Sequence, residues 1–508
     1  MNKGEKMAFD LQIFEDEGLD AGFLEWLTKE QAAEVQRHFG RMWDYYANPM
    51  VEMTAAGQSG TESGRYYVQS QEAGLPARIT GVVRNSASGI LGGKFARDIQ
   101  RKEVVIENDI TWRINAAVDF LFGKPVSFLS RSPDAQKKAE VEEIIKSVFG
   151  ANGGVGFFQD MAVLGGVYGF VDCFVRPGEG IYQNFTSQSR QNFPLEAVLR
   201  MAQAIELELI EAPRALPILD EGNYKKVLYY VQSFYLKKNA VRRRNTFLTR
   251  LLGLDRAEGC QMAEMVEIIS EKGWQRYEDG ELIGEGENQL GFLPVVHIQN
   301  LAQPFYYEGM SDVEPLIPLQ DELNTRLSDR ANRITMQSFK MYLGKGIEGF
   351  EDRPVSPGRM WCTDNPDATI EEFGGDAGSD SEDRHIEQIR EAMDKTSSVT
   401  PIVAGVIGGK VGNLTSAVAL KLMLMGMLSK TERKKFTYGE GLKKICAMVL
   451  EILDRADIYK TSIADRQMDV IFPSPLPENM LEKLQEAQIK KELGVPEEKI
   501  LRELGYEK

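Results

Sequence analysis

Two helix-length amphipathic segments, separated by a short Gly- and Pro-rich insert and followed by a glycine-rich loop, constrain this chain more than any other feature. From Pro318 to about Ser338 the apolar residues Leu319, Leu323, Leu327, Ala331 and Ile334 recur at helical spacing. They predict an uninterrupted helix of roughly 30 Å at about 1.5 Å per residue. Ser311 and Glu314 have the S-x-x-E spacing of a capping box, while Pro315 and Pro318 each remove a backbone donor in the next turns. The start of this helix is therefore expected to be kinked. The insert from Phe339 to Asp380 holds Gly344, Gly346, Gly349, Pro354, Pro357, Gly358 and the acidic run EEFGGDAGSD, which reads as strands and turns. Ser379 and Glu382 repeat the capping box, and Ile386, Ile389 and Met393 give the returning helix a matching stripe. Helix, compact head and returning helix make a hairpin. The following VTPIVAGVIGGKVG has one proline and four glycines, at a propensity cost of roughly 1 kcal/mol per Gly against Ala, so a mobile loop is expected.

The rest of the chain is mixed, an α+β organisation in which helix predominates. Phe23, Leu24, Trp26, Leu27, Ala32, Val35, Phe39 and Trp43 are spaced as an amphipathic helix and read as a docking arm, and AAGQSGTESG beyond it as a linker. Ile110, Ile114, Ala117, Val118 and Leu121 form a second stripe that Gly123 and Pro125 stop. In FFQDMAVLGGVYGFVDCFV the Gly165-Gly166 pair is expected to break a helix before a buried strand. Runs at 227–235, 262–269, 273–277 and 293–298, with Asp279-Gly280 as a turn signal, predict a β-rich section. The basic run Lys237, Lys238, Arg242, Arg243 and Arg244 within it reads as a solvated loop. An apolar helix is expected at 415–428. A basic stretch follows, with seven Lys or Arg against two Glu from Lys421 to Lys444, and then a core stripe of Ile445, Met448, Val449, Ile452 and Leu453. Residues 478–508 read as two charged helices separated near Gly494-Val495-Pro496.

Composition narrows function. A chain of 508 residues exceeds one compact core, and its formal charge of −16 argues against a general nucleic-acid binder, whose affinity comes from clustered Lys and Arg. The four cysteines, Cys173, Cys260, Cys362 and Cys446, show no CxxC spacing and fit reduced thiols. The first ten residues carry charge and no signal-like apolar core, and the longest apolar run, 417–428, is far shorter than the roughly 20 residues that span a bilayer. Neither export nor a membrane segment is expected.

Reaction chemistry is missing from the pattern. The nearest approach to a phosphate-binding loop, 404–411, has Ala404 in place of the first Gly and Val411 in place of the hydroxyl residue. His38, His297 and His385 do not share metal-ligand spacing, and they read as structural residues. Asp321-Glu322 and Glu371-Glu372 are sequence neighbours, so they read as solvated faces and not as an acid/base pair. No catalytic residue, metal site or cofactor is expected.

The order of these elements resembles the portal proteins of tailed double-stranded DNA phages, the long-tailed siphophage type in particular. GMSDVEPLIPLQDELNTRLSDRANRITMQSFKMYLGKG carries most of the likeness, through Gly309, Ser311, Asp312, Asn324, Ser328, Asp329 and Asn332. GNLTSAVALKLMLMG is similar to the family's passage from channel loop to long helix, with Ala417 where the family often has Gly. NAAVDFLFGKPVSF and IFPSPLPEN are weaker matches. The resemblance implies a portal fold divided into an N-terminal arm and outer wing (1–108), an α+β wing (109–310), a stem helix (311–338), a clip (339–380), a second stem helix (381–398), a tunnel loop (399–414), a long wing helix with the start of the crown (415–455), and crown or C-terminal helices (456–508).

It further implies a homo-oligomeric ring, a dodecamer, at one capsid vertex of the virion, assembled in the host cytoplasm. Its partners would be double-stranded DNA in the channel, the terminase large subunit, head-completion or adaptor proteins, and the major capsid and scaffold proteins. A channel that moves DNA must not grip it, because every phosphate neutralised adds salt-dependent affinity. The two stem helices fit, with net charges of −2 over 311–338 and −3 over 379–395. In the loop, Val406, Ile407, Gly408, Gly409, Lys410, Val411, Gly412 and Asn413 would face DNA, and Lys410 is the only charge between Val399 and Leu414. Arg326, Asp329, Arg330 and Arg333 are placed in the stem, where the arginines are expected to pair with acids on neighbouring stem helices. A minor head protein without a channel is the alternative reading.

Overall fold

A computed structural model describes residues 9–54, 65–81, 102–186, 193–238, 261–338, 341–345, 366–373, 380–404, 421–476, 480–496 and 500. Helix outweighs strand, 52% to 21%, as an α+β chain of predominantly helical character requires. The chain folds as two compact units, each assembled from separated stretches: Met1–Phe39, Asn115–Ser311 and Ala417–Lys508 in one, Gly40–Ile114 and Asp312–Ser416 in the other.

The larger unit is built on an antiparallel sheet of five strands, in the order Glu281–Glu287, Gly273–Glu278, Gln261–Ile269, Asn223–Lys238, Ala215–Asp220. The turn at Asp279-Gly280 takes φ values of 48° and 86°, the doubly left-handed turn that matches strand twist. One face of the sheet presents Leu216, Tyr229, Val231, Val266, Ile268 and Tyr277, and Phe9, Phe14, Leu24 and Leu27 from the N-terminal segment close over it. Of the apolar stripe expected of that segment, Leu24, Leu27, Ala32 and Val35 are used in this way, whereas Phe23 and Trp26 stay 40% and 44% exposed. Full burial of a side chain such as Phe14 or Leu24 stabilises by about 1.5–3 kcal/mol, enough to hold a segment that has no sheet bonds of its own.

A second antiparallel sheet places the wholly buried Phe170–Arg176 strand between Val295–Gln299 and Glu206–Ile210. The 31-residue helix Met425–Arg455 packs on it. Glycine allows the close approach: a Cβ on Gly441 would lie 2.5 Å from Ile298 Cγ1. The Val155–Tyr168 helix runs straight through Gly165-Gly166 and ends only at Gly169, whose φ of 96° suits glycine. The expected break at 165–166 is therefore misplaced. Gly165 is small for packing, since a Cβ there would come within 2.1 Å of the Tyr438 hydroxyl. Fully buried Asp172 accepts from the hydroxyls of Tyr230 (2.7 Å) and Tyr307 (3.0 Å) and faces Nδ1 of His297 at 2.7 Å. Nε2 of His297 lies 2.7 Å from the Tyr307 carbonyl oxygen, so this histidine is a satisfied core residue.

The smaller unit centres on an antiparallel pair of helices, Ile317–Ser338 and Asp380–Ser397. Pro315 and Pro318 give the kinked start expected of them: a single tight turn, Glu314–Leu316, precedes the helix proper. Ser311 donates its hydroxyl to the Val167 carbonyl (2.6 Å), and Val313, at the cap position, supplies no side-chain bond. Leu323 and Leu327 are buried against the returning helix, which contributes Ile386, Ile389 and Met393, while Ile334 near the far end is 54% exposed. Two small hairpins complete the unit: Met50–Thr54 with Arg65–Gln69, and Met341–Lys345 with Thr369–Phe373.

Candidate functional site

Polar residues on the Ile317–Ser338 helix build the unit's most specific arrangement. Gln320, Asn324 and Ser328 recur every fourth position and so share one face of the helix, and all three are fully or almost fully buried. A segment extended through 102–107, which turns at Asp109 where the amide also reaches the Glu107 carbonyl (3.0 Å), lies along that face in the opposite direction. The amide of Val105 donates to Ser328 Oγ, that of Glu107 to Asn324 Oδ1 and that of Asp109 to Gln320 Oε1, each at 3.0 Å. Ser328 Oγ donates to the Asn324 carbonyl of its own helix (2.7 Å) with the Val105 carbonyl 3.2 Å away, and Gln320 Nε2 donates to the carbonyl of Glu107. Asn324 Nδ2 ties in the Gln71 side chain at 3.0 Å. The ladder works because four helical residues rise roughly 6 Å and two extended residues roughly 6.6 Å. Alternate amides of one segment therefore meet successive rungs of the other.

The lower end of the ladder runs into a buried arginine. Asp109, whose amide Gln320 holds, turns its carboxylate to Arg113 Nη2 (3.0 Å) and accepts from Trp112 Nε1 (2.5 Å). Arg113, 2% exposed, also donates to Asp394 Oδ1 (2.5 Å) and to the Val399 carbonyl (2.9 Å). Burial raises the Asp394 carboxyl above its ordinary value, although Arg113 pulls it the other way. One guanidinium thus fixes the last turn of the Asp380–Ser397 helix and the backbone where the glycine-rich stretch begins. A cation at a helix C-terminus also opposes the negative end of the helix dipole.

A row of ion pairs runs along the helix pair. Arg326 pairs with Glu322 (2.7 Å) and Asp329 (3.4 Å) in its own helix, whereas Arg330 reaches Asp383 (3.0 Å) and Arg333 reaches Glu382 on the returning one. Asp329 also receives both terminal nitrogens of Arg78, a two-pronged pairing. Burial by itself would raise Glu322, but hydrogen bonds from Arg326 and His385 bring its carboxyl below the ordinary value. Val406, Ile407, Gly408, Gly409, Lys410, Val411, Gly412 and Asn413 lie outside the described residues, as does most of 339–380. Arg78, Arg113 and Gln320 were not singled out by the sequence, because Asp329, Asp394 and the Asp109 amide, which they meet, lie more than 200 residues away; the Asp109–Arg113 pair is local and was missed as well.

Among the described residues no three His, Cys, Asp or Glu side chains stand where they could hold a metal ion, and no helix is long and apolar enough to cross a membrane. The chemistry on display is that of a structural component: backbone pinned to side-chain amides, and charges spent on one another. The chain belongs to the family described as phage portal protein, SPP1 Gp6-like, whose model matches residues 114–505. It is thus a portal, or head-tail connector, protein of a bacteriophage virion, in a family of structural proteins. Similar solved structures include a chain of the virion of the native gene transfer agent particle, 11% identical over 78% of this chain and 89% of that one, with a TM-score of 0.40. A chain from the neck of the empty gene transfer agent particle, computed with C6 symmetry, is also 11% identical, over 76% and 90%, with a TM-score of 0.42. No curated protein matches.

Proposed function

We propose that this chain is one subunit of a dodecameric ring at a single capsid vertex, a channel through which terminase packages double-stranded DNA and through which the DNA later leaves. The family match over 114–505 carries this reading. In it the Ile317–Ser338 and Asp380–Ser397 helices form the stem, 339–380 the clip that terminase and then head-completion proteins engage, and 399–414 the tunnel loop. Residues 1–310 supply the arm and wing, and 415–508 the long wing helix and crown. The ion-paired arginines of the stem support a passage that does not clamp its cargo, since Arg330 and Arg333 are occupied by Asp383 and Glu382 and carry little free charge to a duplex. In this reading Val406 to Asn413 face the DNA, with Lys410 presenting one ammonium per subunit.

Negative-stain imaging of the purified chain tests the proposal. Rings with a central hole are expected; particles that stay monomeric at every concentration, or closed discs without a hole, would count against it.

A further inference from the structure

The ladder uses only one edge of the extended segment. In extended backbone the N–H and C=O of a residue point to the same side and those of the next residue to the other. Val105, Glu107 and Asp109 turn toward the helix, so Val104 and Ile106 turn their backbone groups away from it. Among the described residues those outward groups have no partner in the chain. The segment is a one-sided strand: its inner edge is satisfied by side-chain amides and a hydroxyl, and its outer edge is a template for another strand.

The same unit carries a second element with the opposite need. Met50–Thr54 and Arg65–Gln69 pair with each other and, among the described residues, with no other strand. A two-stranded ribbon by itself is marginal in water. This one also exposes apolar side chains: Met50 is 60%, Val51 44% and Tyr67 59% exposed. Its base is fixed, with Asn48 Nδ2 donating to Gln69 Oε1 (2.9 Å) and the Gln71 amide to Asn48 Oδ1 (3.0 Å). Among the described residues, its side-chain bonds to the rest of the unit are at the base.

We propose that the Met50–Gln69 ribbon of one copy adds as a strand to the outer edge of residues 103–107 in a second copy. Two unlike surfaces on one chain that complete each other make a head-to-tail contact, the kind that closes into a ring. The ribbon's apolar side chains then meet Val104, Val105 and Ile106, and the bare backbone groups of both are satisfied together. The inference rests on the ring reading and supplies it with a specific joint.

Ile106→Pro is the discriminating variant. Proline fits extended backbone; it removes the outward N–H of Ile106 and trims its half-buried side chain, while leaving every rung of the ladder intact. Val105→Pro removes an inward N–H and serves as the contrasting case. Ile106→Pro is expected to keep the parent's melting temperature while its assembly midpoint, read by mass photometry, moves to about tenfold higher concentration; Val105→Pro is expected to lower the melting temperature. Separately, Val51→Cys copies mixed with Val104→Cys copies under mild oxidation should give a covalent dimer band that neither gives alone. Rings of Ile106→Pro at the parent's midpoint, together with no mixed band, overturn the proposal. A parent that forms no ring overturns the channel reading instead, and the mixed-cysteine reaction then decides strand addition independently.

Discussion

Replacing Asn324 by Leu keeps the branched heavy-atom outline of the side chain and deletes the centre of the ladder. Three hydrogen bonds disappear: from the Glu107 amide, from Gln320 Nε2 and to Gln71 Oε1, each at 3.0 Å. At about 1 kcal/mol net per bond, and with a buried amide left unsatisfied at about 1–3 kcal/mol, the loss should fall at about 3–5 kcal/mol. That is a large share of the 5–15 kcal/mol by which a folded domain typically exceeds its unfolded chain. Asn332 stands two helical turns further on with the same side chain, is only half-buried, and makes no hydrogen bond among the described residues. Asn332→Leu should therefore cost no more than about 0.5 kcal/mol. Urea unfolding compares the two, and amide exchange at Glu107 reports the ladder directly, expected to speed up in the first variant and not in the second. Equal costs for the two asparagines, or unchanged protection of Glu107 in Asn324→Leu, would refute the ladder as a source of stability.

Gly165→Ala should destabilise by about 1–3 kcal/mol although alanine is the better helix former, because the added methyl meets the Tyr438 hydroxyl; Tyr438→Phe in that background should recover part of the loss in a thermal melt. Acid should weaken the larger unit through Glu267 and Glu208. Burial would raise both carboxyls, but Arg176 holds them below their ordinary value, with Arg276 beside Glu267 and Arg214 beside Glu208. Depressed carboxyls contribute stability above the ordinary carboxylate pKa of 4.5 and lose it as the pH falls through the folded-state values. The melting temperature should accordingly drop between pH 5 and pH 3 (about that window), and less steeply in Glu267→Gln; parallel curves would contradict the assignment. Lys410→Glu should assemble into rings like the parent yet package less DNA in an in vitro packaging reaction, and undiminished packaging would remove Lys410 from the mechanism.

Periodicity made the regular elements legible. The strand expected at 227–235 is the centre of Asn223–Lys238, and the helix expected to run to Ser338 does so. What pattern could not reveal was the fate of polar residues. Asn324 and Ser328 stand out in the sequence only as carriers of the family resemblance, and Gln320 not at all; all three are buried because a segment more than 200 residues earlier in the chain lies on them. Arg113 reads as an ordinary charge beside an apolar stripe for the same reason, its partners Asp394 and Val399 being remote in sequence. The glycines mislead in a different way. Gly165 looks like a break and is a packing contact, whereas Gly169 ends the helix with a conformation that sequence spacing does not signal. Of the candidate site, the stem arginines were visible from charge spacing, whereas the polar ladder and its arginine terminus were not.

The ladder is also a vernier. Its two scales, roughly 6.0 Å per rung on the helix and roughly 6.6 Å on the extended segment, slip by about 0.6 Å at each step. Hydrogen bonds tolerate only about half an ångström of spread, so three rungs centred on Asn324 can all close, while a fourth, at Asn332 opposite Glu103, would be out of step by more than an ångström. Such a scale has one reading. Sliding the segment by one residue turns its inward amides away from the helix, and sliding it by a rung leaves an end rung unmatched, so the registration of 102–107 on its helix is fixed, and with it the position of every backbone group on the segment's outer edge.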